Sequence, residues 1–190
     1  MKFLDSKKVA ITGAPGTGKT VVIERLEKKG FHCFHEIIRS MTAEAKDDEN
    51  SKELVSNPLV FVDDPYQFNT NLLQGRIQHF KESQELSKKV SFFDRGIPDV
   101  LAYMDYFGQE YDSEFTTACE KYQYDLLFIM PPWKEIYISD NERLESFDEA
   151  EALHDCLMNT YQGFGYSPII VPKTTIDERV SFILNELKFA

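Results

Sequence analysis

Along the chain, short apolar runs alternate with longer segments in which apolar residues recur every three or four positions, and no period repeats. Val9-Ala-Ile-Thr12 follows two lysines and leads into a glycine-rich loop, which predicts a first strand. Val21, Val22 and Leu26 mark one side of a helix that stops at Lys28-Lys29-Gly30, where two cations and a glycine suit a helix C-terminus. Phe31 to His35 predicts a second strand, and Glu36 onward a second helix. The charged, aperiodic stretch from Glu44 to Glu53 predicts a surface loop. From Pro65 to about Lys88, the spacing of Phe68, Leu72, Ile77 and Phe80 predicts a long helix.

Val90-Ser-Phe-Phe93 predicts a third strand. Pro98, Asp99 and Gly108 bracket the helix after it, and a short helix begins at Ser113. Leu126-Leu-Phe-Ile-Met130 is the most apolar strand, stopped by Pro131-Pro132, and residues 131 to 146 predict an irregular, lid-like excursion. Ser146 and Glu149 form a capping box for a helix bearing Ala150, Leu153, Leu157 and Tyr161. Ile169-Ile-Val171 predicts a fifth strand, and Thr175 with Glu178 caps a last helix with Val180, Ile183, Leu184 and Leu187 inward. Strands separated by helices imply an α/β fold, a mostly parallel sheet of about five strands with helices on both faces. The 190 residues hold no long linker, so residues 1–190 are expected to form one domain.

Composition narrows the function. Lys and Arg number 21 against 32 Asp and Glu, a formal charge of −11, which would repel nucleic-acid phosphates and anionic lipid. No nucleic-acid or membrane partner is therefore expected. The three cysteines (Cys33, Cys119, Cys156) are odd in number and widely spaced, which suits reduced thiols. The first residues lack an apolar signal core, so a cytoplasmic protein is expected, as a monomer or small homo-oligomer.

The most specific motif is Gly13-Ala14-Pro15-Gly16-Thr17-Gly18-Lys19-Thr20, which matches G-x-x-x-x-G-K-[ST] between a predicted strand and helix. Its glycines allow backbone N–H groups to turn inward around a phosphate, and the helix N-terminus adds partial positive charge. Lys19 can reach the β/γ oxygens and the Thr20 hydroxyl can coordinate Mg²⁺. These residues predict binding of a nucleoside triphosphate. ATP is the default base, since no N-K-x-D guanine-reading motif is present.

In an open α/β sheet, ligands bind beyond the carboxyl ends of the strands. There stand Asp94, a candidate Mg²⁺ holder or a helix cap, and Arg95, which could grip a phosphate or acceptor or lie on the surface. Glu36 could take the proton from an acceptor hydroxyl, with Arg39 one turn on to position it, or the two could form a plain salt bridge. Asp99 and Tyr103 are further acceptor-binding candidates, with Tyr106 and Phe107 as possible pocket walls. Arg143, in the excursion, is a candidate to close over the transition state or a solvated ion pair. The base could lie against residues 172–175, which include Thr174. His32, Cys33 and His35 cannot converge on a metal from one strand, because successive side chains point to opposite faces.

The phosphate loop, Glu36 with Arg39, the helix around Gln67 to Phe80, Phe92-Phe93-Asp94, Tyr124-Asp125 and the segment Tyr161 to Val171 together resemble the small P-loop "AAA domain" proteins held to be ATPases. That family includes the kinase domain acting on ribosylnicotinamide in NAD-salvage proteins. Asp94-Arg-Gly-Ile-Pro-Asp99 is similar to the Asp-Arg signature of nucleoside and nucleotide kinases. The resemblance implies a nucleotide-kinase-like P-loop NTPase fold of three layers with a short lid. It further implies ATP–Mg²⁺ carried by Lys19, Thr20 and Asp94, and Glu36 near the acceptor. The expected function is a Mg²⁺-dependent kinase of a small hydroxyl- or phosphate-bearing metabolite, nucleoside-like compounds included. The alternatives are an ATP-binding switch that recruits a protein partner, and an ATPase.

Overall fold

The computed structural model describes residues 6–38, 64–137 and 146–189. Among them are five strands, β1 (Lys7–Gly13), β2 (His32–Phe34), β3 (Val90–Asp94), β4 (Leu126–Met130) and β5 (Ile169–Ile170). The helices are α1 (Lys19–Lys28), α2 (Pro65–Glu85), α3 (Pro98–Tyr106), α4 (Ser113–Lys121), α5 (Phe147–Gly163) and α6 (Ile176–Phe189). The strands form one sheet in the order β2-β3-β1-β4-β5, and every pair is parallel. This is the expected α/β fold.

Side chains along the central strands alternate between two apolar clusters. Ala10, Phe93, Leu127 and Ile129 enter one; Val9, Ile11, Phe92, Phe128 and Met130 enter the other. Both faces of these strands are buried, which is why they read as unbroken apolar runs. The first cluster is completed by residues of α2, α3, α4 and α5, among them Leu72, Leu101, Phe115 and Leu153. The second is completed by α1 and α6 through Val22, Leu26, Val180 and Ile183.

Local sequence signals explain the helix ends. The Ser146 hydroxyl accepts from the Glu149 N–H at 3.2 Å while the Glu149 carboxylate accepts from the Ser146 N–H at 2.6 Å, a complete capping box. Thr175 and Glu178 bond reciprocally at the start of α6. Asp64 caps α2, accepting from the Gln67 N–H at 3.0 Å, and Pro65 follows it in the first turn.

Several boundaries differ from expectation. Val21 is 41% exposed, whereas Lys19, Val22, Ile23 and Leu26 face inward. The loop lysine takes the first inward position, so the buried stripe runs 19, 22, 23, 26 and turns Val21 outward. Strand β2 covers three residues rather than five, because it is an edge strand that pairs only with β3. Strand β5 covers two, although the Val171 N–H still donates to Ile129 O at 3.0 Å. The predicted loop Glu44–Glu53, most of the predicted second helix and residues 138–145 of the excursion lie outside the described residues.

Candidate active site

The carboxyl ends of β1 and β3 bring two groups of side chains together. The first is the loop between β1 and α1. Gly16 and Gly18 adopt φ of +76° and +85°, the left-handed region that glycine enters without steric cost. The Thr17 hydroxyl donates to Ala14 O at 2.9 Å, and Lys19 Nζ donates to Gly13 O at 2.7 Å and Ala14 O at 2.9 Å. Burial, with Arg95 nearby, pushes the Lys19 ammonium down to about 7, against the pull of Asp94, Asp99 and Glu36.

The ring of Tyr137 lies over Gly16, where an added Cβ would stand 2.8 Å from its Cδ2. Gly16→Ala would therefore combine a left-handed alanine with a displaced tyrosine. It is expected to lower the unfolding free energy by about 1–2 kcal/mol, read as a fall of a few degrees in melting temperature.

On the α6 side, Arg179 ties the loop to residues 172–175. Its Nη1 donates to Thr17 O at 3.0 Å and its Nε to Thr174 O at 2.8 Å, and its guanidinium lies 4.8 Å over the Trp133 ring. Thr17, Trp133, Pro172, Lys173 and Arg179 line a small cleft there. The Thr174 side chain itself bonds Glu178.

The second group surrounds Glu36. One carboxylate oxygen pairs with Arg76 Nη2 at 3.1 Å and the other with Arg95 Nε. Arg95 also reaches Asp99 Oδ1 at 3.1 Å and Gly13 O at 3.5 Å through Nη1, and its guanidinium sits 5.0 Å over the Tyr103 ring. Its backbone holds φ +74°, the only left-handed non-glycine residue among those described. That conformation costs about 1–2 kcal/mol and persists where surrounding bonds fix it. Here the Arg95 N–H donates to Ile11 O at 3.0 Å, and the Gly96 carbonyl accepts from Arg76 at 3.0 Å.

Asp94, which ends β3 opposite Ile11, is 6% exposed and close enough to act on Lys19. Asp99, expected to touch an acceptor, is fully enclosed instead. Its Oδ1 accepts from Thr12 Oγ1 at 2.5 Å, and its Oδ2 from Tyr161 OH at 2.5 Å and the Gly96 N–H at 3.0 Å.

The structure thus gathers Gly13, Lys19, Glu36, Asp94, Arg95 and Tyr103 at one edge of the sheet. Arg39 and Arg143 lie outside the described residues. Sequence reasoning missed Arg76 and Arg179. Each carried a signal, since a charged residue occupies an inward position beside Leu72, Leu73 and Ile77 in α2, and beside Val180 and Ile183 in α6.

The Thr20 hydroxyl and the Asp94 carboxylate are hard oxygen donors at this edge, the type that Mg²⁺ takes. Among the described residues, no three His, Cys, Asp or Glu side chains form a group able to hold a metal ion.

A family model described as an AAA domain matches residues 8–179. No curated protein sequence matches the chain. Among solved structures, the fold is similar to thymidylate kinase from Candida albicans, with TM-score 0.71 and 16% identity over 97% of this chain and 92% of that one. It is also similar to deoxyadenosine kinase from M. mycoides with bound dATP, with TM-score 0.61 and 17% identity over 95% and 99%. NadR protein in complex with NR gives TM-score 0.68 and 20% identity over 96% of this chain, which spans half of the NadR chain.

Proposed function

Because this chain belongs to the AAA domain family, we propose that it is a Mg²⁺–ATP-dependent phosphotransferase acting on a small-molecule acceptor of nucleoside-like class. The observation that carries the reading is the placement of Glu36, clasped by Arg76 and Arg95, beside the phosphate loop at the carboxyl edge of the sheet. The P-loop fold shared with nucleoside and nucleotide kinases supports it.

In this mechanism the loop amides and the α1 N-terminus hold the triphosphate. Lys19 exchanges its bonds to Gly13 O and Ala14 O for phosphate oxygens, whose negative charge favours the protonated ammonium. Thr20 and Asp94 would hold Mg²⁺, which when bound offsets phosphate charge. Glu36 takes the proton of an acceptor hydroxyl, and Arg95 is the side chain placed to face charge that builds on the transferring group. Tyr103 supports Arg95 from below. Trp133 and Arg179, which line the small cleft beside the loop, and Thr174, whose carbonyl Arg179 holds, would border the nucleobase of ATP.

The test is ADP release from Mg²⁺–ATP with a panel of nucleosides, nucleotides and small polyols, with Lys19→Ala as the blank. An acceptor-dependent rate that vanishes in the blank is the expected result. ATP binding with no acceptor effect would overturn the kinase reading and favour a switch.

A further inference from the structure

We infer that Tyr161 and Asp99 are positioning residues that fix Arg95, and through it Glu36, for the phosphoryl transfer proposed above, a role that rests on that reading. Neither residue faces the site. Tyr161 is the largest fully buried side chain in the described residues, and Asp99 is fully buried beside it. Between them they tie α5 to β1 and to the turn after β3. Thr12 comes from β1, just before the phosphate loop; Arg95 and Gly96 come from the turn after β3; Tyr161 comes from α5.

The geometry assigns each bond a separate task. The Gly96 N–H to Asp99 Oδ2 bond holds the backbone turn that keeps Arg95 left-handed. The Asp99 Oδ1 to Arg95 Nη1 contact, at 3.1 Å, aims the guanidinium so that Nε meets Glu36 and Nη1 approaches Gly13 O. Tyr161 and Thr12 supply hydroxyl donors to the two carboxylate oxygens and so leave the carboxylate one orientation. With the Tyr161 hydroxyl gone, Oδ2 keeps only the Gly96 N–H, and the carboxylate can rotate about its last bond. Arg95 would then follow it, and the second oxygen of Glu36 would lose its fixed partner.

A hydroxyl placed only to fill the core would do none of this. Burial keeps Asp99 costly to ionise, yet Arg95, Arg76 and the two hydroxyls outweigh burial and hold its carboxyl below the usual range. The charge is therefore maintained inside the protein by the groups it orients. An apolar pair in its place would pack the same space and aim nothing.

Tyr161→Phe keeps the ring, including its edge contact with Tyr166 at 5.2 Å, and removes only the hydroxyl. Two readouts test the inference. The first is acceptor-dependent turnover, where kcat is expected to fall about tenfold with KM for ATP changed by less than about twofold. The second needs no acceptor: the ¹⁵N resonance of the Arg95 Nε–H, whose exchange with solvent is expected to quicken by about tenfold in the variant.

Thr12→Val should act in the same direction, while Thr12→Ser, which keeps a hydroxyl, should behave like the wild type. Thr12→Val decides the matter if Tyr161→Phe does not fold. Unchanged kcat and an unchanged Arg95 signal in the hydroxyl-lacking variants would overturn the inference. If the wild type transfers phosphate to no acceptor, the kinase reading has failed, and the Arg95 resonance alone decides whether these two residues position it.

Discussion

Replacing Glu36 with Gln is expected to lower acceptor-dependent turnover by about 10²–10⁴-fold, the range that loss of a positioned base costs. ATP binding should change much less, because the ion pairs of Glu36 go to Arg76 and Arg95 rather than to the phosphate loop. The substitution keeps the shape of the side chain but removes its charge. A Gln oxygen can accept from one arginine; its NH₂ group then faces the other, which is left without an anionic partner at that point. Turnover at saturating ATP and acceptor, beside a direct titration of ATP binding, separates the two effects. A variant with full turnover would remove Glu36 from the chemistry and leave it as the clasp between Arg76 and Arg95.

The second large effect concerns stability. Asp99→Ala would strip the buried Arg95 and Arg76 of a shared anion and leave two hydroxyls aimed at an empty place. Breaking a buried ionic group from one side costs about 3–5 kcal/mol. For a chain of this size that corresponds to a melting temperature lower by roughly 10 °C, measurable by calorimetry. The pH dependence has a definite sign. The folded protein holds the Asp99 carboxyl below its unfolded value of about 3.9, so its stabilisation is complete above that value. It is lost as pH falls through the depressed native value. The gap in urea stability between wild type and Asp99→Asn should therefore be wide near neutrality and narrow as the pH falls below the usual carboxylate range. A gap that stayed constant in acid would mean that Asp99 acts by shape and hydrogen bonding rather than by charge.

What could be read from the sequence was local. Leu126–Met130 appears in the structure with the bounds its apolar run predicts, and the capping box of Ser146 and Glu149 forms as its spacing requires. The phosphate loop lies between strand and helix as its motif demands. Each of these depends on residues within a few positions of one another. Several of the bonds that order the site do not. Arg76 reaches Glu36 across 40 positions, Tyr161 reaches Asp99 across 62, Asp99 meets Thr12 across 87, and Arg179 meets Thr17 across 162. No period or cap encodes such pairs; only the sheet order brings them together. For the same reason Asp99 read as an acid at a helix start and a candidate to bind the acceptor, although Tyr161 and Thr12 enclose it. Tyr161 itself read as one more apolar position on its helix.

The strand with the phosphate loop stands in the middle of the sheet, and its two flanks lead to different residues. On one side β3 and β2 end at Asp94, Arg95 and Glu36; on the other, β4 and β5 run on to Trp133 and Thr174. On the proposed reading, the donor's base and the acceptor are handled on opposite sides of β1 and its loop. Selection could then rewrite one half while the other stayed under purifying constraint. Divergence within such a lineage should gather around β2, β3 and α2, where a new acceptor can be taken up without relearning how to hold ATP.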